Sequence, residues 1–184
     1  EKETWFIAEE LLESVMEKAD IKEKEYKIKN KLLGKDLAGW QYDHPLLVKK
    51  FLPEELQQNP KLFTVLLSKE HVDASAGTGL VHCAPGCGPE DYEVGHKNNI
   101  PPFNCVNESG LFENFGQFSG WRAKLDDLKF IEAIDEAGAL LTKEKYVHDY
   151  PHGERSKQPV IFRTTKQWFF KVEDLKEKLL KTNE

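Results

Sequence analysis

Apolar residues recur at helical spacing in three stretches of the chain. Leu11, Leu12, Val15 and Met16 do so among the charges of Glu9 to Lys18, which predicts an amphipathic helix following the end of a short strand at Thr4 to Ile7. Leu125 to Ala137 reads as a second helix and stops at Gly138, a residue suited to the left-handed turn that closes helices. Val172, Leu175, Leu179 and Leu180 mark a third, whose apolar side suits packing against a core or a neighbouring domain. A fourth helix is announced by its first turn. Pro89 stands at a plausible first position and Glu90 and Asp91 follow it, so a helix is expected from Pro89 to about Asn98, with Asp91 near its positive end.

Between these stretches the period shortens. Tyr26, Ile28 and Leu32 alternate with lysines, and Gly34 and Gly39 punctuate the approach to Trp40-Gln41-Tyr42. Phe63 to Leu67 is rich in β-formers, Leu80-Val81 follows the turn-like Ala74-Ser75-Ala76-Gly77, and Val160-Ile161-Phe162 has the same character. Pro101 to Gly120 is dominated by Gly and Pro turns. The expectation is an α+β domain in which short strands form a small mixed β-barrel with peripheral helices, rather than a βαβ repeat.

Composition narrows the setting. With 184 residues, 39% of them hydrophobic, the chain is long and apolar enough for one core, and a single domain over 1–184 is expected. It opens on Glu1 instead of Met and ends in Lys181-Thr182-Asn183-Glu184 without a stop signal, so it is expected to be excised from something longer. No apolar run approaches the roughly 20 residues that span a bilayer, and no secretory leader opens the chain. Three cysteines, an odd number, fit reduced thiols and a cytoplasmic location. A net charge of -6 argues against a broad nucleic-acid-wrapping surface. Phosphate contacts, if made, are expected from the late basic residues Arg155, Lys157, Arg163, Lys166 and Lys171.

The stretch richest in chemistry runs from Gly77 to Tyr92, where a strand delivers His82 into a Gly and Pro loop that ends at an acidic helix start. Glycines there let backbone approach a ligand, and His82 and Asp91 could converge across the loop. The plain alternative makes the glycines turn residues, His82 a packed histidine and Asp91 a helix-start carboxylate. His82, Cys83, Cys87 and His96 have the residue types of a zinc site, but Cys83 and Cys87 are four apart and no second cysteine pair exists. Cys83 as a nucleophile needs a base, and the neighbouring His82 would face the other way on a strand.

Gly77-Thr78-Gly79-Leu80-Val81-His82, followed by Ala84-Pro85-Gly86, Gly88 and Asp91-Tyr92, resembles the signature of the editing domain of isoleucyl-tRNA synthetases. The resemblance extends to Gly34–Leu46 with Tyr42-Asp43-His44-Pro45-Leu46, to Asn107–Phe112, to Phe118-Ser119-Gly120, and to His148–Phe169 with Tyr150-Pro151-His152 and Gln167-Trp168-Phe169. Related valyl and leucyl enzymes usually read Pro-Ala-His-Asp at the loop, so His82 and Ala84-Pro85-Gly86 favour the isoleucyl branch.

The resemblance implies a hydrolytic module of a class I synthetase, with residues from about 150 to 184 returning toward the catalytic body. A hydrophobic pocket gains only about 1 to 3 kcal/mol from one methylene, a limit for which isoleucine against valine is the usual illustration. A second pocket that hydrolyses valyl-tRNA, and by extension valyl-adenylate, corrects the error. By resemblance Asp91 holds the α-amino group of the misattached valine, His82 lines the pocket and excludes isoleucine, and Gly77, Thr78 and Gly79 belong to the substrate-binding set. Backbone amides of 77–79 or 86–88 are candidate oxyanion donors. The implied partners are the acceptor end of isoleucine tRNA, misactivated valine and the remainder of the synthetase. No cofactor is expected in this domain, ATP being used by the absent catalytic body. The competing reading is a noncatalytic tRNA-binding or interdomain module. Three departures are notable. The family's threonine-rich motif, part of its pocket, lies upstream of the region matching Thr4 to Leu12, Cys87-Gly88 stands where many relatives have His-Gly, and Gly153 and Ser156 stand where many have a cysteine pair.

Overall fold

A computed structural model describes residues 3–145 and 147–183; the expectations placed on the terminal residues Glu1 and Glu184 lie outside that range. Among the described residues five α-helices are formed: α1 (Leu12–Lys18), α2 (Glu54–Gln57), α3 (Pro89–Lys97), α4 (Asp127–Glu136) and α5 (Lys176–Thr182). α1 follows a 3-10 turn at Glu9–Leu11 and buries Val15 and Met16, as its period requires. α3 begins with Pro89 in its first turn, where a missing N–H costs nothing, and carries Glu90 and Asp91 beside its positive end. α4 is closed by Gly138 at φ +67, whose N–H donates to the Asp135 carbonyl while that of Ala139 reaches Ile134.

The expected β-barrel is not formed. Among the described residues there is no strand ladder and no sheet, only isolated antiparallel bridges pairing Gln41 with Thr64, Val106 with Phe112, Leu111 with Arg122, and His152 with Pro159. A ladder needs successive pairs on both chains, and each β-rich run is interrupted before that happens. Phe63 turns to φ +53, so the ribbon of residues 63–65 meets residues 39–42 through only three backbone hydrogen bonds. Gly77 and Gly79, at φ +73 and +81, turn the chain just before Leu80. Leu80 and Val81, expected in a core strand, are exposed instead.

The core is aromatic and comes from the turn-rich middle of the chain. Val48, Phe115 and Phe118 are buried, and Phe51, Phe103, Phe112, Trp121 and Phe130 pack against them. Phe118, 2% exposed, lies 5.3 Å from the Trp121 ring edge-on and 5.8 Å from Phe130 in a stacked arrangement, so α4 is docked through Phe130. Edge-to-face and offset contacts of this kind add about 0.5 to 1.5 kcal/mol each beyond the area they bury. Outside this cluster Leu11, Val15, Met16, Leu56, Val94 and Ile100 are also buried, but much of the chain is open. Its accessible surface is 15323 Å2, against about 9,000 Å2 expected for a folded monomer of 21.2 kDa. Trp168, Phe169 and Phe170 form an exposed apolar ribbon. None of the helices among the described residues is long and apolar enough to cross a membrane.

Candidate functional site

The loop joining the extended segment 80–83 to α3 is built on close backbone contacts. Gly86 is buried against Phe103 so tightly that a Cβ would collide with the Phe103 carbonyl. The Gly86 carbonyl in turn accepts from the Asn104 side chain at 3.2 Å and from the Thr164 N–H at 3.1 Å. Gly95 of α3 faces Pro85, leaving only 2.6 Å between an added Cβ and the proline ring carbon, so the helix is seated directly on its own preceding loop. On the other side, the Thr78 carbonyl accepts from the Ala8 N–H at 2.8 Å, and Gly79 packs on the Ala8 side chain. The loop is therefore pinned from residues 103, 104 and 164, and the turn ahead of segment 80–83 is held by Ala8, all remote in sequence.

His82 and Asp91 occupy different surroundings. His82 is exposed, and its ring meets that of His44 edge-on at 5.9 Å. Asp91 is half-buried in the first turn of α3, with its carboxylate turned back toward Gly88. Its charge is felt by Cys83 and Cys87. Neighbours on an extended segment point to opposite sides, and so His82 reaches His44 while Cys83 reaches Asp91. The Cys83 Sγ also lies 3.8 Å from the Asp91 carbonyl. The two residues implied by the signature thus flank one short segment, and no hydrogen bond or ion pair joins them.

The thiols here are held protonated. Burial first, then the Asp91 carboxylate, pushes Cys83 up to about 11. Burial pushes Cys105 up to about 11, and Cys87 is raised by burial and then by Asp91. A nucleophilic or metal-binding cysteine needs its thiolate, which these surroundings disfavour. Nor do the four donors considered for zinc converge: among the described residues the donor atoms that come together are those of Glu70, His71 and Glu93.

Neither Asp91 nor its neighbour Glu90 has a cationic partner within ion-pair distance among the described residues, whereas Glu93 and Lys97 further along α3 are paired. Lys97 holds Glu93 at 2.7 Å and Glu70 at 3.0 Å, and His71 lies 3.7 Å from Glu93. A half-buried carboxylate left unpaired beside a helix start is able to bind an ammonium group. Of the amides suggested for an oxyanion, that of Cys87 is already spent on the Ala84 carbonyl at 2.8 Å. Gly77 is exposed, and Thr78 and Gly79 are half-buried against the Ala8 segment.

The late basic residues divide. Arg163 is half-buried, donates to the Val106 carbonyl at 2.8 Å and lies 3.9 Å from Glu108, lining a surface cavity of about 490 Å3 with Asn107, Ser109 and Ile161. Lys171 pairs with Asp174 at 3.0 Å. Arg155, Lys157 and Lys166 are exposed. Sequence reasoning did not single out His44 as a site residue, although the Tyr42-Asp43-His44-Pro45 segment was legible as part of the resemblance.

Comparison with known proteins bears on the same residues. No family model matches the chain. It is 41% identical over 181 residues to the isoleucine–tRNA ligase of Methanocaldococcus jannaschii, covering 97% of the chain. It is 36% identical over 183 residues, covering 100% of the chain, to that of Thermococcus kodakarensis, and 36% identical over 176 residues to that of a Synechococcus strain. In each case the chain spans 17% of the relative's length.

Proposed function

The chain is homologous to a segment of isoleucyl-tRNA synthetases, and from that premise we propose that it carries their editing site, which hydrolyses valine wrongly attached to isoleucine tRNA. The observation that supports this most directly is the Asp91 carboxylate, half-buried, without a cationic partner among the described residues, and held next to a loop that Phe103, Asn104 and Thr164 fix at Gly86.

In this reading the α-ammonium of valine binds Asp91, a charge-assisted contact that fixes the carbonyl carbon relative to the loop. Water adds to that carbon, the bond from the acyl carbon to the ribose oxygen breaks, and a proton passes to the departing ribose oxygen, releasing valine and free tRNA. His82, exposed beside this locus, lines the side-chain pocket and rejects the extra methylene of isoleucine. The exposed Arg155, Lys157 and Lys166 meet the phosphates of the acceptor end, whereas Arg163 supports the fold around Val106. Valyl-adenylate carries the same ammonium and acyl groups and is a second substrate for the same attack.

The test is deacylation of preformed valyl-tRNA and isoleucyl-tRNA by this chain and by the longer natural polypeptide that includes the family's threonine-rich region, each with and without Asp91→Ala. Valine-selective release that disappears with Asp91→Ala supports the proposal. Release in neither form, with tRNA still bound, moves the assignment to a noncatalytic tRNA-binding module.

A further inference from the structure

His44 and His82 are distant in sequence, yet their rings lie 5.9 Å apart at an interplanar angle of 79°. His44 is itself fixed twice over. Its Nδ1 accepts the Leu46 N–H at 3.2 Å across the turn at Pro45, and its ring leans on Phe63 at 5.5 Å. Phe63 is gripped in turn by Tyr42 at 5.7 Å, while the Tyr42 N–H donates to the Phe63 carbonyl at 2.9 Å. His82, by contrast, is exposed and makes no hydrogen bond among the described residues, and the His44 ring lies beside it.

We infer that His44 is a positioning residue of this site, a locked ring that sets the orientation of the His82 imidazole. This rests on the editing reading for its catalytic consequence, but the ring contact stands on geometry alone. An exposed histidine samples several rotamers, and each one that turns away from the pocket is lost to catalysis. An edge-to-face partner held from behind by Phe63 selects one of them. The hydrogen bond accepted at Nδ1 leaves the His44 proton on Nε2, and burial, followed by the nearby His82, lowers the His44 pKa and keeps that ring neutral. His44 therefore presents His82 with an uncharged, oriented aromatic surface.

The experiment uses the natural polypeptide that carries this segment, with histidine labelled at the ring Cε1. His44→Phe keeps a ring between Phe63 and His82 but removes the Nδ1 acceptor. His44→Asn keeps an acceptor for the Leu46 N–H but removes the ring. The His82 ring resonance is expected to move in His44→Asn and His44→Ala and to stay near its original position in His44→Phe. For valyl-tRNA deacylation, Asn and Ala are expected to lower kcat about tenfold with KM within about twofold, and Phe to restore it. In a His82→Ala background the same substitutions are expected to cost nothing further, because the positioned group is gone. An unmoved His82 resonance in His44→Ala, full activity in His44→Asn, or losses that multiply in the double variant would each overturn the proposal. An unsubstituted enzyme that leaves valyl-tRNA intact would instead refute the editing reading, and the resonance would still decide the ring contact.

Discussion

Gly86 and Phe103 share a contact that leaves no room for a side chain: a Cβ on the glycine would run into the phenylalanine carbonyl. That single approach brings the loop before α3 onto the segment leading into the aromatic core. It couples the site to the most buried part of the molecule.

Gly86→Ala is expected to destabilise the chain by about 3 kcal/mol, because the clash is with backbone and no flexible side chain can yield. Urea unfolding gives the measurement. A midpoint within error of the original would show that the loop is not seated as described.

Phe118→Ala should cost about 3 to 5 kcal/mol, since the ring is 2% exposed and contacts Phe115, Trp121 and Phe130 at once. The near-ultraviolet dichroism of Trp121 should fall with it. Losing less than about 1 kcal/mol would place the core elsewhere.

The raised thiols predict a loss of stability in alkali. Cys83 and Cys105 have folded pKa values raised to about 11 from an ordinary value of 9.0, so the protonated thiol is the form the fold favours. Their contribution is intact below about pH 9 and is lost as pH rises toward 11, where the unfolded chain ionises first. Denaturation midpoints measured from pH 7 to 11 should fall more steeply for the original chain than for Cys83→Ala/Cys105→Ala. Replacing Asp91 with Asn removes one of the causes acting on Cys83 and should speed its alkylation at pH 8.

Trp168, Phe169 and Phe170 are exposed on an extended ribbon, so substituting all three with Ser should change stability by no more than about 0.5 kcal/mol per site. Binding of a hydrophobic dye should drop in parallel. A large loss of stability would mean that these rings pack in solution.

The helices were legible because a helix is closed locally. The apolar period of Leu11 to Met16, Pro89 with its acidic first turn, and Gly138 at the end of α4 each act within a few residues, and α1, α3 and α4 form where those signals lie. The run from Gly77 to Tyr92 likewise announced its relationship to isoleucyl-tRNA synthetases by itself, since a motif is a property of order and spacing. The strands that the sequence led one to expect at Phe63–Leu67 and Leu80-Val81 do not form. A ladder depends on a partner chain arriving in register, and the positive φ values at Phe63, Gly77 and Gly79 prevent it. The turn-rich stretch from Pro101 to Gly120 concealed the core for a similar reason, its phenylalanines showing neither helical nor strand period. Only the tertiary structure brought His44 to His82, left Asp91 without a cation among the described residues, and pressed Phe103 onto Gly86. Those are meetings between segments far apart in the chain, settled by packing that no local pattern encodes.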